Sequence, residues 1–303
     1  MQTQSSEESN SLFSEEMITV MISTKNRWQD LEKALLSLRK QDLKHKVIVM
    51  DDNSDDGTSE NVARLFPEVT LYSHQESRGY IVRRNEAVRL ATTPYVLSID
   101  DDCTLEHPGI ISEMAEFCRE TRCAAVAWPY IDVKVSNCVQ SVSPSEGLWQ
   151  GCTFKGCAFI VDRIIFLRLN GFRESFCHQG EEEDFCIRLL QFGFPVLLGK
   201  GHAIHHHEST KRSWERMDFY GSRNLILFAV FNVPVIFLPF QIAASAINCI
   251  LYGFKLKRPY QKTRGVIYGI LDGIRLSQVE RKPVSVKSFV RYRKLKSKYH
   301  KIG

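Results

Sequence analysis

Four short apolar runs, each followed by a helix-patterned segment or an acidic turn, constrain this chain more than any other feature. Met17 to Ser23 is apolar and β-branched, and Trp28, Leu31, Leu35 and Leu38 recur behind it at helical spacing. Val47 to Met50 follows, then the turn cluster Asp51-Asp52-Asn53-Ser54-Asp55-Asp56-Gly57 and a helix to Phe66. Val69 to Tyr72 predicts a third strand, Arg83 to Ala91 a helix, and Tyr95 to Ile99 a fourth strand that ends on Asp100-Asp101-Asp102. A βαβαβαβ order with short apolar strands implies a parallel sheet flanked by helices, and such sheets bind ligands beyond the carboxyl ends of their strands. Both acidic clusters fall at such ends.

From Ala124 the pattern is mixed. Ala124 to Ile131 and Cys157 to Val161 are strand-like, and Arg163 to Asn170 and Asp184 to Phe192 are helix-like. A histidine cluster follows the strand-like Pro195 to Leu198, and Leu225 to Phe254 is a stretch of 30 residues without one charge. No internal repeat and no Gly/Ser linker divides the first 220 residues. The expected organisation is a flexible polar lead over 1–16, a catalytic domain over 17–224, and an apolar and basic helical region over 225–303.

Charge sharpens that division. The formal net charge of +5 hides a segment, 255–303, with 15 Lys/Arg against 2 Asp/Glu, net +13, behind a body of net −8. Such asymmetry suggests that the C-terminal stretch meets something anionic, a membrane surface or nucleic acid. A composition of 44% hydrophobic and 25% charged residues excludes disordered and low-complexity classes. The nine cysteines include no C-x-x-C pair, and the polar, acidic N-terminus has no signal-peptide pattern, so a reducing, cytoplasmic location is expected.

Three consecutive carboxylates at Asp100, Asp101 and Asp102 would repel strongly in a dry site, so a strand end that delivers them there calls for a cation, with Mg²⁺ or Mn²⁺ favoured by the hard-oxygen rule. Asp51-Asp52 holds the same position after the second strand, near a nucleotide base or ribose, although taken alone ordinary turn chemistry explains it better. Glu181-Glu182-Glu183-Asp184 opens a helix, where acids are stabilised by unpaired N–H groups. Four at one start exceed that need unless some face a cation, a substrate hydroxyl or Arg188, and crowding raises a carboxyl toward general-base values. His202, His205, His206 and His207 lie within six residues, which favours metal ligation over a structural role.

Together these residues resemble the inverting family 2 glycosyltransferases of the GT-A (nucleotide-diphospho-sugar transferase) fold, a Rossmann-like mixed α/β sheet flanked by helices, here with a C-terminal helical appendage. The rhamnosyltransferase-like branch is the nearest in pattern. Thr19 to Arg27 is similar to the family's opening strand and loop, Val47 to Thr58 to its second-strand signature, and Arg83-Arg84-Asn85 with Ile99 to Asp102 to its run into the D-x-D motif. The resemblance places Thr24, Asn26, Arg27, Asp51, Arg84, Asn85, Asp100 and Asp101 at the donor, and Asp102 with His206 and His207 at a Mg²⁺ or Mn²⁺ ion. Gly156-Cys157 and Leu169 to Phe172 look like the acceptor-side segment, and Gly180 to Leu189, with Arg188 on the acceptor side, looks like G-E-D-x-D-L-x-x-R-L. The family's base is usually the Asp in the second acidic position; here it is Glu182, one methylene longer, with Glu181 and Asp184 as alternatives. His206-His207-Glu208-Ser209 and Tyr220 to Asn224 resemble H-h-E-S and Y-x-x-R-N.

The resemblance implies transfer of a sugar, rhamnose in that branch, from a nucleotide-diphospho-sugar donor to a saccharide or lipid-linked acceptor in cell-surface polysaccharide synthesis. A rival reading is a non-catalytic protein that binds nucleic acid or membrane through its basic tail, where Arg291, Arg293, Lys294, Lys296, Lys298 and Lys301 interleave with Phe289, Tyr292 and Tyr299. A nucleotidyltransferase is disfavoured because no Gly-rich phosphate loop follows the first strand. Pro234 and Pro239 break the uncharged stretch, which favours helices at an anionic membrane surface over a spanning segment, and hence a peripheral position on the inner face of the cell membrane.

Overall fold

The computed structural model describes residues 16–208 and 213–302. The polar lead, save Glu16, and Ser209 lie outside the described residues. The alternation becomes β1 (Ile18–Thr24), α1 (Trp28–Leu38), β2 (Lys46–Asp51), α2 (Thr58–Leu65), β3 (Thr70–Ser73), α3 (Tyr80–Leu90) and β4 (Tyr95–Asp100). β1 is flanked in parallel by β2 and β4, and β3 extends the sheet beyond β2. Ile18, Val20 and Ile22 face one core and Met21 the other. Burial on both faces is why the run is continuously apolar instead of alternating.

Helix α3 starts at Tyr80, three residues before the apolar pattern suggests, because its first turns bury Arg83 and Arg84 beside Ile81 and Val82. A hydropathy pattern scores those arginines as surface; carboxylate partners keep them inside. The alternation assigns no element to 105–123, where α4 (Ile110–Thr121) buries Ile110, Ile111, Met114, Ala115, Phe117 and Cys118.

The second half turns the sheet mixed. It comprises β5 (Cys103–Thr104), β6 (Ala125–Ala127), β7 (Tyr130–Asp132), β8 (Val139–Gln140), β9 (Leu148–Gly151), β10 (Phe159–Asp162), α5 (Arg163–Arg168), α6 (Glu181–Gln191), β11 (Val196–Leu198) and β12 (Ile204–His206). β10 runs antiparallel between β4 and β6. The main sheet has the order β13-β9-β11-β6-β10-β4-β1-β2-β3, where β13 is His300–Ile302. The single strand expected over 124–131 is two strands in two sheets. At the break, the Trp128 N–H bonds the Ala158 carbonyl and Pro129 has no N–H to offer a ladder. β7 joins the small sheet β5-β12-β7-β8, which carries His206 to the acidic turn.

The C-terminal region forms α7 (Trp214–Asn232), α8 (Leu238–Lys255), α9 (Pro259–Glu280) and α10 (Val286–Ser297). α7 runs unbroken through 224/225 and ends just before Val233-Pro234, while Pro239 sits in the first turn of α8, where its missing N–H costs nothing. Among the described residues no helix is long and apolar enough to cross a membrane. α9 approaches α7 closely along Gly265, Gly269 and Gly273; a Cβ on Gly269 would stand 2.7 Å from the Arg223 carbonyl oxygen. Phe289 and Tyr292 of α10 are buried against the domain, not displayed for stacking on bases. β13 then pairs antiparallel with β9, closing the chain onto the main sheet.

Candidate active site

Three acids reach one place because β4 ends there. Asp101 and Asp102 are buried and Asp100 is half-buried in the turn between β4 and β5. Arg27, from the loop after β1, reaches Asp101 Oδ1 with Nη1 at 2.8 Å and Asp102 Oδ2 with Nη2 at 2.9 Å. Thr24, the last residue of β1, donates its hydroxyl to Asp101 Oδ2 at 2.8 Å. Arg84 of α3 donates to Asp100 Oδ1 at 2.7 Å and to Glu181 Oε1 at 3.1 Å. Its guanidinium lies 4.7 Å above the Tyr80 ring.

His206 closes the ring of groups. Antiparallel pairing of β12 with β5 sets His206 opposite Cys103, and parallel pairing with β7 sets it opposite Asp132. Its Nε2 stands 3.3 Å from Asp102 Oδ1, while Nδ1 bonds Asp132 Oδ1 at 2.6 Å. A carboxylate behind the imidazole fixes which nitrogen faces the site. Burial works against the charged ring, yet hydrogen bonds to Asp102 and Asp132 push His206 up to about 10. Burial likewise opposes ionisation of Asp102, but His206 and Arg27 hold it well below the usual range. Burial dominates at Asp101, pushing it up to about 7 despite Arg27.

The donor set suits a divalent cation. Atoms of Asp100 and Cys157, and of Asp102 and Cys103, each lie within 4.8 Å of His206. Burial pushes the Cys103 thiol well up, which disfavours it as a thiolate ligand beside carboxylate oxygen and imidazole nitrogen. That pairing suits Mn²⁺ and is compatible with Mg²⁺. His207 is not brought there. It departs from the expected ligand role because its Nε2 turns to the Thr104 hydroxyl at 2.8 Å, and among the described residues it joins no cluster of candidate metal donors.

The four acids of α6 point apart. Glu181 is fully buried against Arg84, with Tyr80 Oη 3.4 Å away, and burial followed by the neighbouring Glu182 raises its carboxyl well above the ordinary value. Asp184, also fully buried, pairs with Arg173 and Arg188 and accepts from the Asn232 amide at 2.7 Å, so it is a packing hub with no free face for an acceptor. Glu183 turns to the Tyr292 hydroxyl and Lys296. Glu182 makes no hydrogen bond among the described residues and faces Gly156 beside Arg84. A Cβ on Gly156 would meet Arg84 Nη2 at 2.7 Å and Glu182 Oε1 at 3.0 Å, so glycine is what lets the β9–β10 loop close on both.

Other expected site residues serve the frame. Asp51 is buried and accepts from the Ser54 N–H at 3.0 Å and from the Ser59 hydroxyl, which is turn chemistry. Asn26 ties the first loop to the second by accepting from the Asp55 N–H at 2.8 Å. Asn85 does not face the acids: its amide donates to the Phe172 carbonyl at 2.8 Å and accepts from the Phe172 N–H at 2.9 Å. Arg188 donates to the carbonyls of Leu169 and Gly171, bracing that turn instead of a ligand. Cys157 is buried, with its carbonyl accepting from the Cys103 thiol.

Sequence reasoning passes over Asp132 and Tyr80, and it reads Asp52 only as part of the Asp51-Asp52 turn. Asp52 takes the Ser77 hydroxyl, the Arg78 and Gly79 N–H groups and Arg83, which anchors the start of α3. Asn224, within Y-x-x-R-N, donates to the carbonyls of Phe176, His178 and Gln179 and so sets the loop that launches α6.

Comparison with known proteins bears on the family and the fold. Residues 19–173 match the family described as Glycosyl transferase family 2. A "Pre-mycofactocin glycosyltransferase" of Mycobacterium tuberculosis is 28% identical over 227 residues, 67% of this chain and 46% of its own. A "Processive diacylglycerol beta-glycosyltransferase" of Mycoplasma genitalium is 28% identical over 34% of this chain and 32% of its own length. The chain thus spans about half or less of the length of the curated relatives it matches. Among solved structures, S. aureus TarS 1-349 in complex with UDP-GlcNAc superposes with a TM-score of 0.62 at 19% identity, covering 93% of this chain and 90% of that one. The mannosyltransferase PcManGT of Pyrobaculum calidifontis, in complex with GDP-Man and Mn²⁺, gives 0.57 at 18% identity over 94% and 84%. These likenesses show the fold.

Proposed function

This chain belongs to glycosyl transferase family 2, and on that premise we propose that it moves a sugar from a nucleotide-diphospho-sugar donor to an acceptor hydroxyl, with inversion at the anomeric carbon. One observation carries the reading: Glu182 is the acid of its run that stays uncommitted, and it stands with Arg84 against Gly156, while the same Arg84 bonds Asp100 of the acidic turn that holds Asp102 and His206. In this reading Glu182 takes the acceptor proton as the hydroxyl attacks. Both Arg27 and Arg84 are paired with carboxylates, and Arg27, a quarter exposed where Arg84 is buried, is the one open to donor phosphate. Asp102, His206 and Asp100 would hold Mn²⁺ or Mg²⁺, which when bound neutralises charge on a leaving diphosphate. Asp51 would contact the base only if the Ser59 hydroxyl turned away.

Rhamnose as the sugar, a saccharide or lipid-linked acceptor, cell-surface polysaccharide as the product and a cytoplasmic, membrane-peripheral site of action are the finer readings, supported by the motif resemblance and the basic C-terminal region. The basic-tail nucleic-acid reading loses its support, since two of its three aromatic residues, Phe289 and Tyr292, are buried.

The test is thermal stabilisation by a panel of nucleoside-diphospho-sugars with and without Mn²⁺, because a donor that binds the folded state raises its apparent stability. One donor should raise Tm in a cation-dependent manner. His206→Ala should abolish the cation dependence and His207→Ala should keep it. Absence of stabilisation by every donor, or a His207→Ala loss equal to that of His206→Ala, would overturn the assignment.

A further inference from the structure

Among the described helices, α8 and α9 carry the most exposed large apolar side chains. Phe240, Ile247, Leu251 and Phe254 recur along α8 at spacings that fall on one helical face, and each is more than half exposed. On α9, Ile267, Ile270, Leu271 and Ile274 form a second exposed stripe. Val235 and Ile236, in the turn between α7 and α8, are exposed as well, at 75% and 65%. The inner faces are not interchangeable with these: the glycine stripe of α9 is sealed against α7, and Ser245, Cys249 and Gly253 are the buried positions of α8. Two exposed apolar stripes on neighbouring helices, with exposed apolar residues in the turn before them, mark a contact surface.

Charge identifies the occupant. Lys255, Lys257 and Arg264 are exposed at the ends of the two stripes, and exposed Lys294 of α10 lines a groove with Phe237, next to Ile236. From 255 onward the chain has 15 Lys/Arg against 2 Asp/Glu. An apolar face bordered by cations fits the plane of an anionic bilayer, where the side chains enter the acyl boundary and the cations meet headgroups. Neither helix is long and apolar enough to cross it. A groove of about 420 Å³ runs along the flank of α8, lined by Leu225, Phe228, Gln241, Asn248, Tyr292 and Arg293 among others, and it reaches Glu183, the neighbour of Glu182. Ala244 lies next to both the groove and the exposed stripe.

We propose that the outward face of the α8–α9 hairpin docks in the plane of an anionic membrane, with the groove beside Glu183 opening toward the lipid headgroups. Docking itself stands apart from the chemistry at Glu182; the placing of the groove as the acceptor side rests on the glycosyltransferase reading. A membrane-borne acceptor then reaches the α6 helix laterally, without leaving the bilayer surface.

The experiment is cosedimentation of the full chain with phosphatidylcholine vesicles, with or without phosphatidylglycerol, run without donor so that it is independent of transfer. Binding should require the anionic lipid and weaken with salt. The pair Ile247→Glu and Leu251→Glu should lower the apparent affinity about a hundredfold, from the lost burial of two large apolar side chains. Reversal at Lys255 and Lys257 should lower it about tenfold on anionic vesicles alone. Unchanged Tm of these variants checks that they fold. No binding to anionic vesicles, or binding indifferent to the apolar pair, overturns the proposal. A concentration-dependent dimer that the same pair dissolves, without vesicle binding, overturns it in favour of a second copy of the chain.

Discussion

Two runs of consecutive carboxylates, Asp100 to Asp102 and Glu181 to Asp184, are arranged in opposite ways. The first sits in a turn at the end of a buried strand, and all three side chains stay within one neighbourhood, matched by Arg27, Arg84 and His206. The second opens a helix, where successive residues rotate by about 100°, and each acid meets a different partner. Glu181 meets Arg84, Glu183 meets Tyr292 and Lys296, Asp184 meets Arg173 and Arg188, and Glu182 is left beside Gly156 with no hydrogen-bond partner among the described residues. The same residue type in a run thus concentrates charge in a turn and distributes it on a helix. One role per residue follows in the helix, and a shared role in the turn.

The sharpest break of that comparison is Glu182→Gln. Loss of a positioned general base should cut transfer by about a hundred- to ten-thousand-fold, with donor-induced Tm shifts retained; wild-type turnover would move the base elsewhere. Asp184→Ala comes next, as a stability effect. It leaves Arg188 buried without a carboxylate and Arg173 with Glu280 alone, and removing one partner of a buried pair costs about 3–5 kcal/mol, read as a lower urea midpoint. If Asp184→Ala instead kept its stability and lost turnover, the hub reading would be wrong.

A third acidic pair extends the rule to pH. Burial opposes ionisation of Asp52, but Ser77, the Arg78 and Gly79 N–H groups and Arg83 outweigh it and hold the carboxyl below its ordinary value. The unfolded chain therefore binds the proton more readily. Asp52 contributes its stabilisation in full above about pH 4, the unfolded value, and loses it as pH falls through the lower folded value. The Tm difference between wild type and Asp52→Asn should be widest near neutrality and narrow in acid; a difference that grew in acid would reverse the sign. Glu183→Gln should have the smallest effect. Its pair with Lys296 is at a surface where such pairs contribute about 0–1 kcal/mol, so turnover should stay near wild type and separate Glu183 from its neighbour.

Much of this was legible because the relevant forces are local. The strands of the parallel half are read from Ile18 to Ile22 and Val47 to Met50, since burial on both faces demands uninterrupted apolar residues. Asp102 and His206 were legible as types and positions, and Glu182 by its place in a motif. Asn85, Arg188 and His207 were not: each is a polar residue whose nearest partner comes from another element, Phe172, Leu169 with Gly171, and Thr104 respectively. The split of 124–131 escaped because a buried strand in the main sheet and one in the small sheet have the same composition, and only Trp128-Pro129 marks the change.

By itself the sequence determined which stretches had to be inside, where charges of one sign gathered, and that acids would stand at strand and helix ends. Those follow from hydrophobicity and from the geometry of single elements. The tertiary structure alone decided which acid keeps a free carboxylate, which histidine turns to Asp102, that Asp132 stands behind it, and that α8 and α9 turn apolar stripes outward. Each of these depends on which strand lies beside which, and the energy of a buried charge is set by neighbours brought from more than seventy residues away.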